Sequence, residues 1–167
     1  MAVADLSLFP LKRPDLYKLY EQQVASFWTA HEIDMSQERA HFLRMTEGQQ
    51  QFMSMVLAFF ASADLLIVDN LRQNFLGEFR DPSARLFLGF QAGMEGVHSQ
   101  VYALLLDTTI PDKQQKDVLV NAHESIPSIA AKCEWVLQYF DKRKSFAARL
   151  VAFLAIEGIF FAGSFAA

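Results

Sequence analysis

The chain has 167 residues, 52% hydrophobic and 20% charged, which is enough to build a core and excludes a disordered tail. Its net charge is −4 and its 15 Lys and Arg are scattered, so no basic stripe exists to track nucleic-acid phosphates. A single cysteine, Cys133, excludes an internal disulfide and fits a reducing compartment, and MAVADLSLFPLKRPD carries no secretory signal pattern. A cytoplasmic location is expected.

The periodicity predicts helices and no strand of any length. After an extension over residues 1–13, a first helix starts near Pro14 and runs to about Trp28, with Leu16, Leu19, Tyr20 and Val24 at helical spacing. TAHEIDMS (29–36) reads as a turn. Thr46 with Gln49 three places on is a capping-box pattern, opening a second helix that reaches about residue 76. Asp81-Pro82 reads as an N-cap with proline at the first helical position, and the third helix continues to about Asp107. A fourth helix follows IPD (110–112) to about His123, and Pro127 opens a fifth that ends near Phe140. Lys142 to Lys144 form a basic turn, and the last helix runs from about Ser145 to the end.

LVAFLAIEGIFFAGSFAA (150–167) imitates a membrane span, but it is barely long enough and places Glu157 near its centre. A buried core helix with a functional carboxylate is the reading adopted, with no membrane partner. Long helices that are apolar on more than one face fit a bundle with central members.

Within the third helix, GMEGVHSQVY (93–102) contains Glu95, His98 and Tyr102. Glu95 to His98 is about 300° of helix and Glu95 to Tyr102 about 700°, so the three side chains fall in a sector of about 60°. Glu-x-x-His is the spacing by which carboxylate-bridged bundles hold metal ions. Asp64 in LAFFASADLLIV and Glu157 in VAFLAIEGIFF are lone acids in apolar runs. Burying each without a partner costs several kcal/mol or forces it neutral. A shared pair of cations, iron or manganese by their oxygen and imidazole ligands, resolves these anomalies together. Glu38 and His41 in SQERAHFL have the same spacing, but polar neighbours mark them as exposed.

Together SFWTAHEIDMS (26–36), LAFFASADLLIVDNL (57–71), FQAGMEGVHSQVYALLLDT (90–108) and VAFLAIEGIFFAGSFA (151–166) make the sequence resemble the radical-generating small subunit of class I ribonucleotide reductase. The resemblance covers nearly the whole length in order. It implies an all-α, ferritin-like helical bundle forming a single di-iron carboxylate domain over 1–167. Asp64, Glu95, His98 and Glu157 would be ligands of a di-iron centre, with manganese or a mixed pair as the alternative. Tyr102 would be oxidised to a stable radical. Phe161 and Phe165 would help form the apolar pocket around it, and Trp28 would relay an electron between the surface and the metals through His98. The expected partners are the large subunit, where ribonucleotides become deoxyribonucleotides, and a second copy in a homodimer.

This sequence departs from the family pattern beyond Glu157. The resemblance implies a second Glu-x-x-His on a later helix, an acidic partner in the tryptophan relay and a tail that docks on the large subunit, none of which it contains. The expectation is therefore an incomplete bundle with weak or no metal binding alone, with an exposed apolar face on its last helix and a complementary C-terminal fragment as a further partner. Another oxygen-activating di-metal oxidase, or a non-catalytic bundle binding an intact small subunit, are the competing readings.

Overall fold

A computed structural model of the protein describes residues 6–166. Among them there is no strand. The helices are α1 (Pro14–Ala25), α2 (Glu38–Arg44), α3 (Glu47–Asn70), α4 (Pro82–Thr109), α5 (Lys113–Val120), α6 (Ala122–Ser125), α7 (Pro127–Leu137), α8 (Phe146–Ala155) and α9 (Ala162–Phe165). Two π turns extend long helices: Leu71–Phe75 continues α3, and Ile156–Phe160 joins α8 towards α9. A short 3-10 turn spans Ala30–Glu32.

Local chemistry sets most helix starts. Thr46 and Gln49 form the reciprocal box at α3, with Thr46 N donating to Gln49 Oε1 at 2.9 Å. Asp81 Oδ1 accepts from Ser83 N at 2.9 Å and Ala84 N at 3.2 Å, ahead of Pro82 at the start of α4. Asp112 caps α5, Pro127 opens α7 and Ser145 caps α8.

Several boundaries differ from expectation. The first helix stops at Ala25 rather than Trp28, because Ser26 turns both its amide and its hydroxyl back onto Gln22 and Gln23 carbonyls. Trp28 thereby leaves helical register. The 29–36 turn contains the 3-10 turn, closed by Thr29 N donating to Glu32 Oε1 at 2.9 Å. The expected fourth helix is split at Asn121, whose side chain donates to Asp117 O at 2.8 Å and competes with the backbone ladder. The fifth ends at Leu137, short of Phe140. Of the expected N-terminal extension, residues 1–5 lie outside the described part and 6–13 contain no helix, and the last position of the final helix, 167, is likewise outside it.

The centre is the α3–α4 pair. Phe59, Phe60, Ile67, Leu71 and Phe75 from α3 and its π turn meet Leu88 and Leu106 of α4 in one core, joined by Ile129, Cys133 and Val136 of α7 and Phe153, Ile156 and Phe161 of the last segment. A buried polar knot ties α8 to the end of α3. Arg149, 4% exposed, pairs with Glu78 and donates to Asn74 O at 2.8 Å, while Asn74 Nδ2 reaches Asn70 Oδ1 at 2.8 Å and Tyr139 O at 3.2 Å. The guanidinium is satisfied on several sides, as burial of such a charge requires.

Glu47–Phe75 and Phe146–Phe165 are each long and apolar enough to cross a bilayer. Each also turns a carboxylate, Asp64 and Glu157, into one shared cavity. The last segment leaves Val151, Leu154, Ile159 and Phe165 largely exposed.

Candidate metal centre

Four elements converge on a cavity of about 310 Å³. Asp64 comes from the middle of α3, Glu95, His98 and Tyr102 from successive turns of α4, Glu157 and Phe161 from the π turn and its end, and Trp28 from the stretch after α1. Donor atoms of Asp64, Glu95 and His98 lie within 4.8 Å of one another, a spacing at which one ion can be held. Glu157 faces the same cavity but stands outside that close trio.

The electrostatics are those of acids short of a cation. Asp64 is 2% exposed, and burial, followed by the nearby Glu95 carboxylate, pushes it up to about 7. Burial, then Glu95, also pushes Glu157 up to about 7. Asp64 Oδ2 and Glu157 Oε1 are buried and meet no hydrogen-bond donor among the described residues. His98 Nδ1 lies 3.1 Å from Glu95 Oε2, and that hydrogen bond raises the imidazole above its ordinary value against the opposing effect of burial. Three carboxylates, one imidazole and two orphaned buried oxygens fit one or two divalent cations, which would supply the missing positive charge.

Aromatic rings close the cavity around Tyr102. Phe60 stacks on its ring at 4.7 Å with 11° between planes, and Phe161 and Phe165 lie 5.6 Å and 5.1 Å from Phe60. Phe161 is buried, whereas Phe165 lines the cavity with one side and is otherwise 64% exposed. Burial, then the Asp64 and Glu95 charges, raise the Tyr102 phenol above its ordinary value, so its proton stays on Oη at neutral pH. On the opposite side Trp28 stacks on His98 at 5.5 Å. The sequence reading missed Phe60, although it stands one turn before Asp64 and shares its face. The alternative pair, Glu38 and His41, sits on α2 with both side chains exposed and 3.9 Å apart.

Comparison with known proteins supplies the family. The family described as "Ribonucleotide reductase, small chain" matches residues 5–167. The protein belongs to the ribonucleotide reductase small-chain family. It is 48% identical to a ribonucleoside-diphosphate reductase small subunit of Dictyostelium discoideum, over 95% of its own length and 47% of that protein. It is 45% identical to one of the ribonucleoside-diphosphate reductase small chains of Arabidopsis thaliana, over 96% of its own length and 47% of the relative. Among solved structures, the ribonucleotide reductase Rnr4 homodimer from Saccharomyces cerevisiae superposes with a TM-score of 0.84 at 30% identity, covering 96% of the present sequence and 51% of that one. The small-chain family member described here thus spans about half the length of the curated relatives it matches. Its all-helical fold is the ferritin-like bundle of these relatives over the matched part.

Proposed function

We propose that this protein is a small subunit of ribonucleoside-diphosphate reductase, contributing the Asp64, Glu95, His98 and Glu157 ligands of a dimetal centre beside a redox-active Tyr102. The observation that carries this reading is the pair of orphaned, buried carboxylate oxygens on Asp64 and Glu157, facing Glu95 and His98 from separate helical segments. Two iron ions with oxygen, when bound, supply the oxidising power to remove an electron from a phenol; manganese accepts the same ligands.

The protein's own residues have distinct tasks. The four ligands replace costly unpaired burial with charge pairing. Phe60 and Phe161 keep water and external reductants from the Tyr102 ring, where a phenoxyl radical must persist. His98, stacked on Trp28, provides the route by which an electron from outside reaches the centre. The proposed partners are the large subunit, which uses the radical to reduce ribonucleotides, and a second copy of this small subunit.

The test is Mn(II) titration of the 167-residue protein followed by EPR, then aerobic iron loading. Saturable binding is expected, lost in His98→Ala and kept within about twofold in Tyr102→Phe. After iron and oxygen, the parent protein should show a tyrosyl radical signal that Tyr102→Phe lacks. Absence of saturable Mn(II) binding removes the metal reading, and an unchanged radical signal in Tyr102→Phe removes Tyr102 from it.

A further inference from the structure

One cation reaches the segment that carries Glu157 through that segment's backbone. Lys132 on α7 is half-buried, and its Nζ donates to the Phe160 carbonyl at 3.3 Å. The ammonium also stands 4.2 Å from the centroid of the Phe59 ring and 5.9 Å from that of Phe160. Among the described residues it makes no ion pair.

Its target is the irregular part of the last helix. Ile156–Phe160 is a π turn, so Phe161 N reaches back five residues to Ile156 O. The Ser164 amide, which an unbroken α-helix would direct at the Phe160 carbonyl, donates to Phe161 O at 2.9 Å. Lys132 supplies a charged donor to that carbonyl at the place where the ladder changes register. The same turn presents Glu157 and leads into Phe161, both of which line the cavity. Phe59, beneath the ammonium, meets Phe161 edge-on at 5.5 Å, so the cation grips the turn through a carbonyl and through a ring.

We propose that Lys132 is a positioning residue: by holding the Phe160 carbonyl and the Phe59 face, it fixes the π turn and so the placement of Glu157 and Phe161 at the cavity. It touches neither the ligand atoms nor Tyr102. A charge-assisted hydrogen bond and a partly desolvated cation–ring contact are strong enough to hold a turn that its own backbone ladder holds poorly. The functional part of the inference rests on the metal reading given above.

The experiment is amide hydrogen exchange on the metal-free protein, comparing the parent with Lys132→Met and Lys132→Arg. Methionine keeps the apolar stem and loses the donor; arginine keeps both donor and charge. Lys132→Met should speed exchange over 157–165 about tenfold while α3 and α4 stay as in the parent. Lys132→Arg should restore protection to within about threefold. Mn(II) binding, read by EPR, should weaken several-fold in the Met variant and recover in the Arg variant. Unchanged exchange over 157–165, an equal acceleration in every helix, or an arginine variant as unprotected as the methionine one would each overturn the proposal. Lys132→Gln, which removes the charge without adding apolar surface, gives the same localised reading should the Met variant not fold. Because exchange is measured without metal, a localised effect in a protein that binds no Mn(II) defeats the metal reading and leaves the grip of Lys132 on the turn intact.

Discussion

Two segments of this protein carry the same Glu-x-x-His spelling, and the fold treats them in opposite ways. Glu95 and His98 sit on a central helix, 3.1 Å apart, with side chains 11% and 37% exposed. Glu38 and His41 sit on a seven-residue outer helix, 3.9 Å apart, with side chains 41% and 51% exposed. Helical periodicity faces both pairs the same way along their own helices. What separates them is the neighbourhood: Asp64 and Glu157 converge on the first pair from other segments, and no third ligand of the kind converges on the second among the described residues. A spacing motif becomes a site only when the fold delivers further donors and removes water.

The sharpest break of this comparison exchanges one imidazole in each pair. His98→Ala should weaken Mn(II) binding by more than about 100-fold, since even residues that merely support metal ligands cost about 10–100-fold when lost. His41→Ala should leave binding within about twofold. Parallel EPR titrations of the two variants decide it: equal losses would mean that burial does not select the site.

A second test uses pH. The folded-state pKa of Asp64 is raised to about 7, above its ordinary value of 3.8. The native state therefore holds a proton that the unfolded polypeptide has released between those values, and stability falls as pH rises through that window. Metal-free protein should be most stable at or below about pH 4 with respect to this group and lose a few kcal/mol, to order of magnitude, by about pH 8. Asp64→Asn removes the titrating group, so its stability curve should be flatter, and higher at the alkaline end, in urea melts. A parent curve that rises across the same window would contradict the buried-acid account.

How much of this could be read from the residues follows from how local each signal is. Thr46–Gln49, Asp81-Pro82 and Pro127 declare helix starts within four positions, and the structure uses each. The alignment of Glu95, His98 and Tyr102 on one face needs only helical periodicity. The stack of Trp28 on His98 depends on Ser26 ending α1 early, an event among nearby polar groups that hydrophobic periodicity does not register. The π turns are equally silent, because the apolar pattern of IEGIFF suits either ladder. Nothing in the local sequence singles out Arg149, and only the fold brings Asn74 and Glu78 to it.

That knot extends the comparison to ion pairs at large. Glu78→Gln leaves the Arg149 guanidinium, 4% exposed, without its counter-charge, although Asn74 and Lys144 carbonyls still accept from it. The Glu78 side chain is 35% exposed, which lets water soften the loss. Destabilisation of about 2 kcal/mol is expected, below the roughly 3–5 kcal/mol of a fully buried broken pair. Urea denaturation with an unchanged m-value measures it, and a loss under about 0.5 kcal/mol would place the pair with the exposed ones.

The smallest effect belongs to the outer Glu-x-x-His pair itself. At 3.9 Å and with both side chains largely in water, Glu38 and His41 gain little Coulomb energy and give up side-chain freedom to hold one geometry. Glu38→Gln should shift stability by no more than about 0.5 kcal/mol, and added salt should erase the shift. A double-mutant cycle between Glu38→Gln and His41→Ala at low and high salt measures the coupling directly. A coupling above about 1 kcal/mol that survives high salt would show that α2 shields its charges from water, and the contrast drawn between the two pairs would lose its physical basis.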